Sequence, residues 1–145
     1  MKITRLIYII FLILLLSFNC ERKDDSYQST YEKLIIGEWN WVESVYYYTM
    51  SGQPYVLNPD TVGYSIKHVY LSDGTFKIYK NDITESSGNY WFDKIIYPDR
   101  TESDLRLFTQ KDDYIRSVNF RIKDDTLCID NTETDDAKRV FVRIR

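Results

Sequence analysis

His68 is the only histidine in the chain, and acid–base or metal chemistry would have to be built around it. A Ser-His-Asp relay needs an imidazole to carry the proton, and a zinc site with two histidines cannot be made from one. Neither Gly-x-Ser-x-Gly nor His-Glu-x-x-His is present. His68 stands mid-strand among Tyr64, Ile66 and Tyr70, which is the setting of a structural or exposed side chain. Paired carboxylates occur at Asp112-Asp113, Asp124-Asp125 and Asp135-Asp136. Neighbouring residues in a turn point apart, so these pairs read as solvated hairpin tips. The run Asp130-Asn131-Thr132-Glu133-Thr134-Asp135-Asp136 alternates oxygen ligands as a calcium loop does, but it lacks the EF-hand glycine and the spacing to a terminal glutamate. Cys128, between Leu127 and Ile129, reads as a small buried residue rather than a nucleophile. No catalytic residue, metal or cofactor is expected, and the chain does not read as an enzyme.

Cys20 is the residue with the clearest chemical prospect. Lys2 and Arg5 precede an unbroken apolar run from Leu6 to Leu16, 11 residues long. That suits the core of an export signal and falls well short of the ~20 residues a spanning helix needs. The run ends at Cys20, and Glu21-Arg22-Lys23-Asp24-Asp25 follows with no aliphatic residue. Leu16-Ser17-Phe18-Asn19-Cys20 resembles a lipobox, where bacterial lipoproteins are acylated on the cysteine sulfur and cleaved before it. Lys23, Asp24 and Asp25 resemble the signal that sends lipoproteins of Bacteroidota to the cell surface. The resemblance implies a signal peptide over 1–19, lipidation of Cys20 with palmitate-type chains, and an outer-membrane, surface-exposed address. Ordinary secretion with Cys20 as a bystander, or an uncleaved N-terminal anchor, are the competing readings. Two or three acyl chains at ~0.8 kcal/mol per buried CH2 would hold the protein where one chain would not.

Cleavage before Cys20 leaves 126 residues, a single domain by length. Losing Lys2 and Arg5 takes the 19 basic residues to 17 against 22 acidic ones, a net charge of −5. Such a balance argues against nucleic acid as a partner. With Cys20 consumed by lipid, no disulfide can form within the chain, so stability must come from the core. The core has ample material, because 12 of the 13 Tyr and all three Trp lie in this part.

Residues 20–28 read as a flexible tether and 29–145 as the folded domain. Ser29-Thr30-Tyr31-Glu32 fits a capping box that opens a short helix over 29–36. From Gly37 on, apolar alternation and closely spaced turn signals predict an antiparallel meander. Its eight strands are Glu38–Tyr48, Tyr64–Leu71, Thr75–Lys80, Ile83–Phe92, Leu105–Thr109, Tyr114–Ile122, Thr126–Asn131 and Arg139–Ile144. The first places Trp39, Trp41, Val45 and Tyr47 on one face. The last places Val140, Val142 and Ile144 together. Residues 49–62 form the longest loop, and Ser87-Gly88 suggests a bulge. Asp73-Gly74, Asn81-Asp82 and Lys123-Asp124-Asp125 mark hairpin turns. Eight strands with short connections call for an all-β, eight-stranded up-and-down barrel, with a β-sandwich as the competing architecture.

Gly37-Glu38-Trp39 at the head of the first long strand, after a short helix, resembles the start of a lipocalin. Asp73-Gly74-Thr75-Phe76 is similar to a hairpin of small lipocalin-like domains in secreted Bacteroidota proteins. The resemblance covers about residues 33–145. It implies that Gly37 and Trp39 form a barrel floor, with Arg143 or Arg145 packed on the indole. The opposite end would then be the mouth, where Tyr46, Tyr47, Tyr48 and Tyr55 are candidate contacts for a ligand or partner, unless they only coat the wall. Asp60-Thr61-Val62 and Asp125-Thr126-Leu127 resemble short O-glycosylation sites of that phylum. Two functions remain. One is an outer-membrane-anchored lipoprotein binding a small apolar or amphipathic ligand. The other is an envelope protein–protein interaction or structural module with a filled barrel. An interior of ~300 Å³ or more would favour the first.

Overall fold

The computed structural model describes residues 23–47, 53–96, 103–131 and 137–145. Cys20, Tyr48 and the acidic run 132–136 lie outside the described residues. The elements are α1 (Lys23–Ile35), β1 (Gly37–Tyr46), β2 (Tyr55–Leu57), α2 (Pro59–Val62), β3 (Ile66–Tyr70), β4 (Thr75–Lys80), β5 (Ile83–Ile96), β6 (Ser103–Lys111), β7 (Tyr114–Lys123), β8 (Thr126–Asn131) and β9 (Ala137–Arg143). Strands β1 and β3 to β9 pair antiparallel in sequence order, and β9 returns to β1, from Trp39↔Arg143 to Tyr46↔Ala137. The fold is therefore the eight-stranded antiparallel up-and-down barrel with a short helix before it. The small strand β2 is an addition, paired with β1 at Ser44–Tyr46, past the reach of β3.

Closure leaves no unpaired edge in the ring. Every strand runs between two ends, here called the floor, where β1 begins, and the mouth, where it finishes. The β4–β5 turn lies at the mouth. Asn81 and Asp82 both take positive φ there, 50° and 61°, as a two-residue hairpin with right-handed strand twist requires. Inside the floor half, Trp39, Phe92, Leu107, Leu127 and Phe141 are almost wholly shielded from solvent.

Helix α1 begins at Lys23, so residues 23–28 are helical rather than tether. The reason lies in the packing of one face. Gln28, Tyr31 and Ile35 recur at helical spacing. Gln28 Nε2 donates to the Phe92 carbonyl at 2.9 Å. Tyr31 meets Phe120 edge-on at 5.0 Å, and Ile35 is fully buried. The helix lies over the floor as a lid made by the chain itself.

Three local expectations are corrected. In β1 the register against β9 shifts between Trp41 and Glu43, a bulge that inserts one residue. Past it the inward positions are Ser44 and Tyr46, while Val45 and Tyr47 leave the face of Trp39 and Trp41. The buried indole explains the shift, since Trp41 Nε1 donates to Ser44 Oγ at 3.0 Å. Ser44→Ala removes that acceptor and should cost about 1–2 kcal/mol in urea unfolding; an unchanged midpoint would refute this account. The second bulge is at Glu85, where Ser86 pairs with Ile78 and Thr84 with Tyr79, not at Ser87-Gly88. The stretch 49–62 holds β2 and α2. Asn58 caps α2, its Oδ1 accepting from Thr61 N–H at 2.9 Å while Thr61 Oγ1 accepts from Asn58 N–H. The Thr61 hydroxyl is thus engaged in a cap.

Candidate functional site

At the floor, the side chains grouped by the sequence reading meet directly. The Arg143 guanidinium lies 4.2 Å from the centre of the Trp39 ring. Its Nη1 donates to the Ile36 carbonyl at 2.7 Å, and its Nη2 to the Leu34 carbonyl. Trp39 Nε1 donates to the Ile35 carbonyl at 2.8 Å. Three consecutive carbonyls at the end of α1 would otherwise lack partners, and two strands of the barrel, β1 and β9, supply their donors. Gly37 has φ +136°, and a Cβ there would stand 2.6 Å from Arg143 Nη1. Arg145 instead joins Asp125.

Above this floor the barrel is hollow. A cavity of about 380 Å³ runs from Trp41, Phe76 and Phe141 toward the mouth, with walls of Ile66, Ile78, Leu107, Val118 and Ile129. Near the rim Tyr64 stacks on Trp41 with centroids 6.0 Å apart, and the Lys80 ammonium lies 4.1 Å from the centre of the Tyr64 ring. Of the described candidate tyrosines, Tyr46 borders the cavity and Tyr47 and Tyr55 do not. Tyr55 packs beside Tyr46 at 6.3 Å and is exposed, as is Tyr47, which points away from the interior. Lys23, Asp24 and Asp25 form the first turn of α1.

Besides tyrosines, five ionisable side chains line the cavity that the sequence reading did not place there: His68, Glu85, Lys111, Arg116 and Arg139. Their signal was present in the alternation. Arg116 is in phase with Val118, Phe120 and Ile122, and Arg139 with Phe141, so a charge in step with inward apolar residues marks an interior polar group. Glu85 enters through the bulge, which no periodicity reveals.

His68 packs on Phe141 with centroids 4.4 Å apart, and its Nδ1 is 3.3 Å from the Tyr70 hydroxyl. Burial, aided by the positive charge of Arg139, pushes its pKa down to about 3. Burial and then the nearby Tyr90 raise that of Tyr70. His68 is therefore a neutral hydrogen-bonding group at physiological pH. In the unfolded chain it takes up a proton below about pH 6.5, but in the native state only near pH 3, so its contribution lowers stability progressively as pH falls between those values. With solvent reaching the cavity, the loss should be on the order of 2 kcal/mol. Urea unfolding of wild type and His68→Gln at pH 7 and pH 4 checks this. The variant should lose less stability on acidification, and parallel losses would sink the idea.

A closed antiparallel barrel, capped by a helix at one end and hollow toward the other, is lipocalin-like architecture. Comparison with protein-family models, curated proteins and solved structures finds no match to this chain.

Proposed function

We propose that the chain is a non-enzymatic binding lipoprotein, held at the outer membrane of a Bacteroidota cell by an acylated Cys20, whose barrel takes up a small apolar or amphipathic molecule. The observation that carries the binding reading is the 380 Å³ interior with its aromatic and aliphatic lining. It falls within the ~300–1,000 Å³ typical of small-molecule sites, where apolar walls provide affinity and a few polar groups set orientation. Native mass spectrometry of the purified protein should show a co-purifying small molecule. Filling the cavity with Val118→Phe should abolish that adduct while the fold persists. An adduct-free wild type that also fails to take up apolar dyes would end this reading.

The anchor rests on the order of charge, apolar run and cysteine in residues 1–25. Its test is radiolabelled palmitate, with loss of label and of membrane fractionation expected in Cys20→Ala. The surface address rests on Lys23-Asp24-Asp25, and protease added to intact cells should then digest the protein.

Docking of an envelope protein is a second reading, and one observation favours it. Tyr47, Tyr55, Ile83, Tyr114 and Ile115 are exposed, and by strand direction all stand at the mouth end. The cavity speaks against a barrel packed shut, so such a partner would meet the rim.

A further inference from the structure

We propose that the ligand is an anionic amphiphile, its apolar body against Trp41, Phe76 and Phe141 and its acidic head on Arg116. This deepens the binding reading above and rests on it. The chain as a whole is acidic, with a net charge of −3. Among the described residues its cavity has the opposite balance: Arg116, Arg139 and Lys111 line it, and Glu85 is the one acidic residue in the lining. Glu85 sits at the bulge and is exposed.

Arg116 is the informative member. It is partly buried on the inward face of β7, between Tyr114 at the rim and Val118 in the wall. Among the described residues its side chain makes no ion pair and no hydrogen bond. Arg139, by contrast, is engaged by another group of the protein. Drawing a guanidinium out of water against apolar walls is unfavourable unless an anion or acceptor compensates. Most long cations avoid the cost by turning outward, and on β7 the outward positions Ile115 and Arg121 are exposed. A cation kept on the inward face and paired with no described acidic group is what a site for an acidic head group requires. Carboxylate, sulfonate and phosphate heads all accept the planar fork of an arginine. The volume limits the body to one fused ring system or one chain, since 380 Å³ is near the lower end of ligand sites.

The test uses two dyes with the same ring system, one anionic and one neutral: 8-anilinonaphthalene-1-sulfonate and N-phenyl-1-naphthylamine. Full-length protein in phosphatidylcholine nanodiscs is titrated with each at low salt, with empty discs subtracted. The sulfonate should bind about tenfold more tightly than the neutral dye, a difference of about 1.4 kcal/mol. Arg116→Gln should erase most of that preference and leave the neutral dye unaffected, whereas Arg116→Lys should keep it. Equal affinity of the two dyes for the wild type would overturn the proposal, and that comparison needs no variant to fold. Parallel weakening of both dyes in Arg116→Gln would also overturn it, with the cavity reading left standing. If neither dye binds, the cavity reading falls and this inference falls with it.

Discussion

Replacing Gly88 by alanine should remove more than about 4 kcal/mol of stability and leave little folded protein, a loss at the extreme of single substitutions. A Cβ at this position would lie 1.9 Å from the Gln110 carbonyl oxygen and 3.0 Å from its carbon. Both are backbone atoms of β6. The ladder that starts beside the contact holds them in place, since Asn89 pairs with Gln110 and Tyr90 with Thr109. On the other flank Phe76, itself paired with Gly88, would stand 3.1 Å away through its Cε1. The aromatic ring occupies the space that a side chain would take, as rings do over glycines where a barrel bends sharply. The barrel must therefore open along β5–β6 or the residue must stay glycine. Ser87→Ala, one residue earlier and exposed, is the control and should change stability by less than about 0.5 kcal/mol. Soluble yield and urea midpoints compare them. A Gly88→Ala protein within 1 kcal/mol of wild type would mean that the two strands are not in such close contact.

The same glycine shows how much was legible in the sequence. Strand number, order and class follow from alternation and turn chemistry, and the hairpins at Asn81-Asp82 and Lys123-Asp124-Asp125 fall as expected. A break near Ser87-Gly88 was also legible, but its kind was not. The bulge sits at Glu85 and the glycine serves a close approach, because strand pairing, a tertiary property, decides which residue is extra. In β1 one inserted residue reversed the assignment of Val45 and Tyr47. In β9 the apolar set Val140, Val142 and Ile144 is the outer one, with Val142 and Ile144 exposed, because Arg139 and Arg143 take the inner positions. Hydrophobicity alone ranks these faces wrongly, since each inner arginine has a task. One closes the floor and the other lines the cavity.

The floor yields the second large effect. Arg143→Met, which keeps the apolar stem but loses the guanidinium, should cost about 3 kcal/mol. The loss combines a cation–π contact with charge-assisted bonds to two helix-terminal carbonyls, after discount for the partial exposure of the side chain. Arg143→Lys should recover less than half, because an ammonium cannot serve both carbonyls from a plane stacked on the indole. Gly37→Ala should damage the same device from the other side. Its new Cβ, 2.6 Å from Nη1, displaces the guanidinium, and the φ of +136° adds backbone strain. The guanidinium can be lost only once, so the double variant should be less destabilised than the sum of the single ones, by about 1 kcal/mol or more. Strict additivity in urea unfolding would show that Gly37 and Arg143 act independently. The cavity is affected as well. Release of the α1 carbonyls frees the helix whose Tyr31 and Ile35 seal the barrel below Trp39. Arg143→Met should therefore loosen dye binding in the hollow half even though Arg143 is not part of the lining.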